Sequence, residues 1–191
     1  RFQQIKPKVF FAADGYRYGG KDYDRLETVA RIQRDIPTVE TTILVPYLNP
    51  RPAISRLKQA VMWEKLLSDH QGASLSFEHV PFDHPLWVLY SSGTTGIPKA
   101  IVQGQGGILL EHLKLEALHM DVRQGDRFFW FTTTGWMMWN VVVSGLLAGA
   151  CILLYDGNPG YPDLGVMWRF AEQTEMTHFG TSAAYLTACM K

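Results

Sequence analysis

The sequence predicts an α/β fold, a mostly parallel sheet with helices on its faces. Three observations carry this. Short apolar runs of strand length alternate with stretches of helical periodicity. The runs are largely continuous rather than alternating, as in strands covered on both sides. And 47% of the 191 residues are hydrophobic, which fits strands and helices buried in a large α/β domain.

The elements follow in order. Residues 8–13 (KVFFAA) form an apolar run closed by Asp14-Gly15, a strand and a turn. Asp22 or Asp24 can cap a helix whose apolar positions Leu26, Val29, Ala30 and Ile32 recur at helical spacing until Pro37. Residues 41–45 (TTILV) read as a second buried strand ended by Pro46, so the first unit is strand, helix, strand. Residues 47–82 are less regular: Asn49-Pro50-Arg51-Pro52 breaks the chain ahead of a helix-like stretch at 57–67, and the segment is expected to be peripheral. Residues 86–90 (LWVLY) form the next strand. It runs into a Ser/Gly/Thr cluster, after which Ile108, Leu110, Leu113, Leu115 and Leu118 predict a helix over 107–120. A strand at 128–131, a small-residue helix at 136–148 and a strand at 151–155 come next. Asp163 caps a helix through Val166, Phe170 and Ala171, residues 177–179 form a short strand, and Ser182 starts a helix that runs to the chain end.

Composition narrows the classes. Eighteen Lys+Arg balance eighteen Asp+Glu, so neither the charge excess of a disordered chain nor the basic excess of a nucleic-acid binder is present. Two cysteines, Cys151 and Cys189, form no CxxC pair, and Arg1, Lys6 and Lys8 interrupt anything resembling a signal peptide; a cytoplasmic protein is expected. Residues 128–155 carry no charge over 28 positions, against about 20 for a membrane span. Thr132 to Gly135, Asn140 and Ser144 break that run, and no basic cluster flanks it, so burial in a soluble fold is expected rather than membrane insertion.

The chemistry concentrates at residues 90–99, Tyr-Ser-Ser-Gly-Thr-Thr-Gly-Ile-Pro-Lys. Gly93 and Gly96 allow the backbone to present successive N–H groups; Ser91, Ser92, Thr94 and Thr95 add hydroxyl donors; Lys99 adds a compact cation. Donors without bulk plus a cation are what a polyphosphate needs, although the same residue types also make ordinary turns. A P-loop is disfavoured, because Pro98 precedes Lys99 and Ala100 follows it. Thr181-Ser182 follows a predicted strand, a position where α/β proteins bind ligands, though Ser182 also suits a helix cap. His79 and His84 lack the companions of a metal site, His178 reads as a packed histidine, and no Ser-His-Asp or paired-carboxylate pattern stands out.

The 90–99 stretch resembles the phosphate-loop signature of the adenylate-forming superfamily, which holds acyl-CoA synthetases, luciferases and peptide-synthetase adenylation domains. Within it, residues 14–21, 106–112, 133–139 and 155–159 are similar to the members that ligate acetoacetate to coenzyme A; Ala100 stands where a Gly is usual. The resemblance implies part of the large N-terminal domain of such an enzyme, an internal fragment without the swinging C-terminal domain. It implies ATP, coenzyme A and a small carboxylic acid as substrates, with no nucleic-acid partner, and magnesium held by a ligand downstream of this chain. It assigns phosphate binding to Ser91, Ser92, Gly93, Thr94, Thr95, Gly96 and Lys99, catalysis to Lys99 and Thr95, and the acyl pocket to Trp136, Met137, Met138 and Thr181. Met137 and Met138 equally fit the core of a buried helix. Ligation of acetate or propionate, or a nucleotide-binding module without catalysis, are the alternatives.

Overall fold

The computed structural model describes residues 1–92 and 96–191. Residues 1–79 with 90–100 form one unit, and residues 80–89 with 101–191 a second.

In the first unit a short helix α1 (Phe2–Ile5) precedes strand β1 (Val9–Ala13), the hairpin β2 (Gly15–Tyr18) and β3 (Lys21–Asp24), helix α2 (Leu26–Asp35), β4 (Thr41–Val45), β5 (Ala60–Met62) and α3 (Trp63–Asp69). β4 is central, parallel to both β1 and β5, with Val9 opposite Thr41 and Thr42 opposite Ala60. Val29 and Ala30 of α2 pack with Leu44 and Leu57 to form the core. The helix-like reading of 57–67 is therefore corrected: a third parallel strand occupies 60–62, and the helix starts only at Trp63.

The β2–β3 hairpin is absent from the sequence reading, which ran straight from a turn to a helix. Its turn is Gly19-Gly20, both at positive φ (58° and 76°), the conformation that two-residue hairpin loops require. Asp22 consequently does not cap α2; it takes a forked hydrogen bond from Arg17 at 2.6 and 3.0 Å. Asp24 accepts the Leu26 N–H at 2.9 Å instead. Gly15 sits where nothing larger fits: a Cβ there would lie 2.5 Å from the Tyr23 carbonyl oxygen and strike the Leu48 side chain. Since backbone has to move to relieve this, Gly15→Ala is expected to cost about 1–3 kcal/mol, read from the shift of a chemical-denaturation midpoint.

The second unit is built on β8 (Arg127–Trp130), which lies between β10 (His178–Gly180) and β9 (Cys151–Leu153), all parallel. The central strand places consecutive side chains on opposite faces. Phe128 packs with Val122, Val141, Val142 and Ala150, while Phe129 packs with Met167 and Tyr185. Helix α4 (Gln105–Lys114) continues into a π-helical turn, Leu115–His119; α5 (Met138–Ser144) tightens into a 3-10 turn, Gly145–Ala148; α6 (Val166–Gln173) and α7 (Ala183–Cys189) complete the layer. The helix expected over 136–148 thus begins at Met138. The last helix closes at Cys189 rather than running to the chain end. Residues 128–155 are divided among these elements, and among the described residues no helix is long and apolar enough to cross a membrane.

Strands β6 (Pro85–Ser91) and β7 (Lys99–Gly104) pair as a separate two-stranded sheet. This corrects the expected strand-loop-helix order. The β-branched Ile101 and Val102 extend the chain after the Ser/Gly/Thr cluster, so the loop leads into a strand, and α4 starts only after Gly104.

Candidate functional site

The loop of residues 91–99 joins two paired strands. It leads into β7, and the next helix, α4, starts only at Gln105. Its two ends are tied to the N-terminal helix: the Tyr90 hydroxyl donates to the Arg1 carbonyl at 3.1 Å, and Gln4 Nε2 donates to the Pro98 carbonyl at 3.2 Å. Between those ties Ser91, Ser92 and Gly96 are exposed, as is Lys99 just beyond Pro98. Gly96 adopts φ 134° with open space around its Cα. Among the described residues, the side chains of Ser91, Ser92 and Lys99 make no hydrogen bond or ion pair. Gly93, Thr94 and Thr95, the remaining candidates of this loop, lie outside the described residues.

The candidate acyl-pocket residues belong to the second unit, where they share the carboxyl edge of its parallel sheet. Residues 131–138 follow β8, and Thr181 follows β10 directly; Phe131 N–H donates to the Gly180 carbonyl at 2.8 Å, extending the pairing to that edge. Trp136 and Met137 are in the turn ahead of α5, which is held by Trp136 N–H to Thr133 and Asn140 N–H to Met137 at 3.1 and 2.9 Å. They are 60% and 52% exposed. Met138 is half-buried against the Phe128 cluster, which supports the core reading for that side chain. The Thr181 hydroxyl is buried and has no hydrogen-bond partner among the described residues, an orphaned donor at the edge where ligands of parallel sheets bind. An apolar cavity of about 260 Å³ between Trp87, Ile108, His112 and Leu147 includes none of these four residues.

Two histidines pack within the second unit. His178 donates Nε2–H to the Met120 carbonyl at 3.1 Å and meets the Thr177 hydroxyl through Nδ1 at 2.9 Å. His112 is buried beside Trp87, and burial holds its imidazole below the ordinary range. Among the described residues no cluster of three or more His, Cys, Asp or Glu could hold a metal ion. Three features escaped the sequence reading. The Asp14 carboxylate lies under the chain that follows β4. The Tyr185 hydroxyl donates to the Leu164 carbonyl at 2.5 Å, with burial raising its pKa to about 12. Glu116 is fully buried, though its sequence neighbours give no sign of it.

Comparison with known proteins places these observations. The family of AMP-binding enzymes matches residues 1–191. The chain is 44% identical over 192 residues to the acetoacetyl-coenzyme A synthetase of Rhizobium meliloti (strain 1021), covering all of this chain and 29% of that protein. It is 40% identical to the acetoacetyl-CoA synthetase of Mus musculus, covering 98% of this chain and 29% of that one. The solved structure of acetoacetyl-CoA synthetase from Streptomyces lividans superposes with a TM-score of 0.90 at 57% identity, across all of this chain and 28% of that one. The chain therefore spans less than a third of the length of these relatives.

Proposed function

Because this chain belongs to the AMP-binding enzymes, we propose that it is the phosphate-binding segment of a cytoplasmic ligase that joins acetoacetate to coenzyme A at the expense of ATP. The likeness to acetoacetyl-CoA synthetases over its whole length carries the choice of acid. The exposed loop between β6 and β7 carries the choice of chemistry. In the first step a carboxylate oxygen of acetoacetate attacks the α-phosphorus of ATP and pyrophosphate departs, leaving an acyl-adenylate. In the second, the thiol of coenzyme A attacks the acyl carbonyl, loses its proton, and AMP departs. Negative charge gathers on the leaving pyrophosphate, where Ser91, Ser92, the loop N–H groups and Lys99 meet it. Among the described residues no group of three or more His, Cys, Asp or Glu could hold a metal ion, and no step here is routed through magnesium. The two cysteines are free thiols, in keeping with a reducing compartment.

The test is ATP–pyrophosphate exchange by the full-length protein. Acetoacetate is expected to support exchange well above acetate or propionate; exchange supported by acetate or propionate but not by acetoacetate would overturn the choice of acid. Met138 is the candidate pocket residue that also packs against the core, so its two roles have to be separated. Met138→Ala is expected to move kcat/KM toward longer 3-oxo acids by about tenfold or more. An unchanged preference accompanied by lower stability would assign Met138 to the core alone.

A further inference from the structure

The π turn after α4 and the end of α5 meet through one polar contact inside an apolar layer. Glu116 is 0% exposed, and its Oε1 lies 2.6 Å from Ser144 Oγ. Its Oε2 is buried with no partner among the described residues. Ser144 Oγ also lies 2.7 Å from the Val141 carbonyl oxygen.

These contacts can be counted in protons. A serine hydroxyl has one hydrogen, and a carbonyl oxygen only accepts. The Gly145 N–H, which would reach Val141 in a continuing α-helix, is turned to Val142 as the helix tightens, so the Val141 carbonyl draws on the Ser144 hydrogen. With Glu116 ionised, the remaining 2.6 Å contact would join two oxygens with no hydrogen between them, and a charged Oε2 would face apolar side chains without a donor. One proton on the carboxyl removes the first fault and most of the second. We propose that Glu116 is held as an uncharged carboxylic acid that donates Oε1–H to Ser144 Oγ, Ser144 donating in turn to Val141, a latch that fastens α5 to the π turn only while the proton is present.

The surroundings agree. Burial pushes the Glu116 carboxyl above the ordinary range, against the opposing pull of the Ser144 hydroxyl and of His178. Burial lowers the pKa of His112, on the preceding turn of α4, which works against a counter-charge there. His178 from β10 has its Nε2–H committed to Met120, and Asp126 lies 4.0 Å from its Nδ1. Lys114 and His119 flank Glu116 on exposed positions, and α5 with its 3-10 turn contains no titratable side chain. A carboxyl raised in the folded state contributes stability that is fully present below its unfolded pKa and is lost as pH rises through the folded one.

The experiment uses the full-length protein and the Glu116→Gln variant, whose amide supplies a donor without a charge. At neutral pH the wild type is expected to show a protonated-carboxyl C=O band in the infrared difference spectrum against Glu116→Gln. The variant is expected to unfold at or above the wild-type midpoint, with a gap that widens from mildly acidic to mildly alkaline pH. Absence of the band, or a variant that falls further below the wild type as pH rises, would overturn the latch. Since α5 begins at Met138, the ligase reading adds a KM for the acid that rises with pH in the wild type and not in Glu116→Gln. That addition rests on the proposed acyl pocket, so a silent KM with the band present would count against the Met138 assignment while supporting the latch.

Discussion

Lys99→Ala in the full-length protein is expected to slow acetoacetate-dependent ATP–pyrophosphate exchange by about 10²–10³-fold, the loss typical when one group stabilising transition-state charge is removed. The fold should not change with it. Lys99 is exposed at the first position of β7, its ammonium makes no bond to another described residue, and the strand supplies main-chain pairing whatever the side chain. The loss should appear in the maximal rate more than in the KM for ATP, because charge on the pyrophosphate grows as the bond breaks. Lys99→Arg should recover only part of the rate, since a planar fork replaces a compact ammonium in a loop built from small residues. Exchange within twofold of the wild type in Lys99→Ala would remove the loop from the chemistry. Unfolding of that variant would instead show that Lys99 has a structural role the exposed position does not suggest.

Asp14→Ala is expected to destabilise the protein by about 3–5 kcal/mol, the largest stability effect of any single side chain considered. Asp14 is 2% exposed and follows β1 directly. Its carboxylate accepts the N–H groups of Tyr47, Leu48 and Asn49 at 2.7, 3.0 and 2.8 Å. One side chain thus satisfies three successive backbone donors where β4 gives way to an irregular segment. Burial alone would raise its pKa, but the combined N–H bonds outweigh burial and hold the carboxyl below the ordinary range. The sign follows: a depressed folded pKa contributes stability present above the unfolded value and lost as pH falls through the folded one. Denaturation midpoints should therefore drop on acidification in the wild type, and part of that drop should vanish in Asp14→Ala. Asp14→Asn keeps one acceptor oxygen and should recover a fraction of the loss. A midpoint unchanged by either substitution would mean that other groups take over these three donors.

Features governed by neighbours in sequence were legible. The strand at 41–45 matches the structure residue for residue, and the helix stop ahead of Pro37 and the Ser182 cap, which accepts the Tyr185 N–H at 3.2 Å, were read from single residues with fixed backbone preferences. The candidate phosphate loop rests on ten consecutive positions, of which Gly93, Thr94 and Thr95 lie outside the described residues. The hairpin at 15–24 was not legible: the reading passed from the Asp14-Gly15 turn straight to a helix, and Gly19-Gly20 marks a hairpin only once its two flanking strands are paired. β7 was missed for a related reason: Lys-Ala-Ile-Val-Gln-Gly has no strict alternation, and only β6 makes it a strand.

The sequence alone determined the α/β class, the order of most strands and helices, and the loop with its serines and Lys99, because periodicity and turn chemistry act over a few residues. Only the tertiary structure decided that the loop leads into a strand, that Thr181 and the turn ahead of α5 share one sheet edge, and that the buried carboxyls of Asp14 and Glu116 have their pKa values moved in opposite directions. The partners of those two carboxyls lie 33–35 and 28 residues away. Three N–H donors make a buried negative charge favourable at Asp14. One hydroxyl, whose single hydrogen is already drawn to a carbonyl, makes it unfavourable at Glu116.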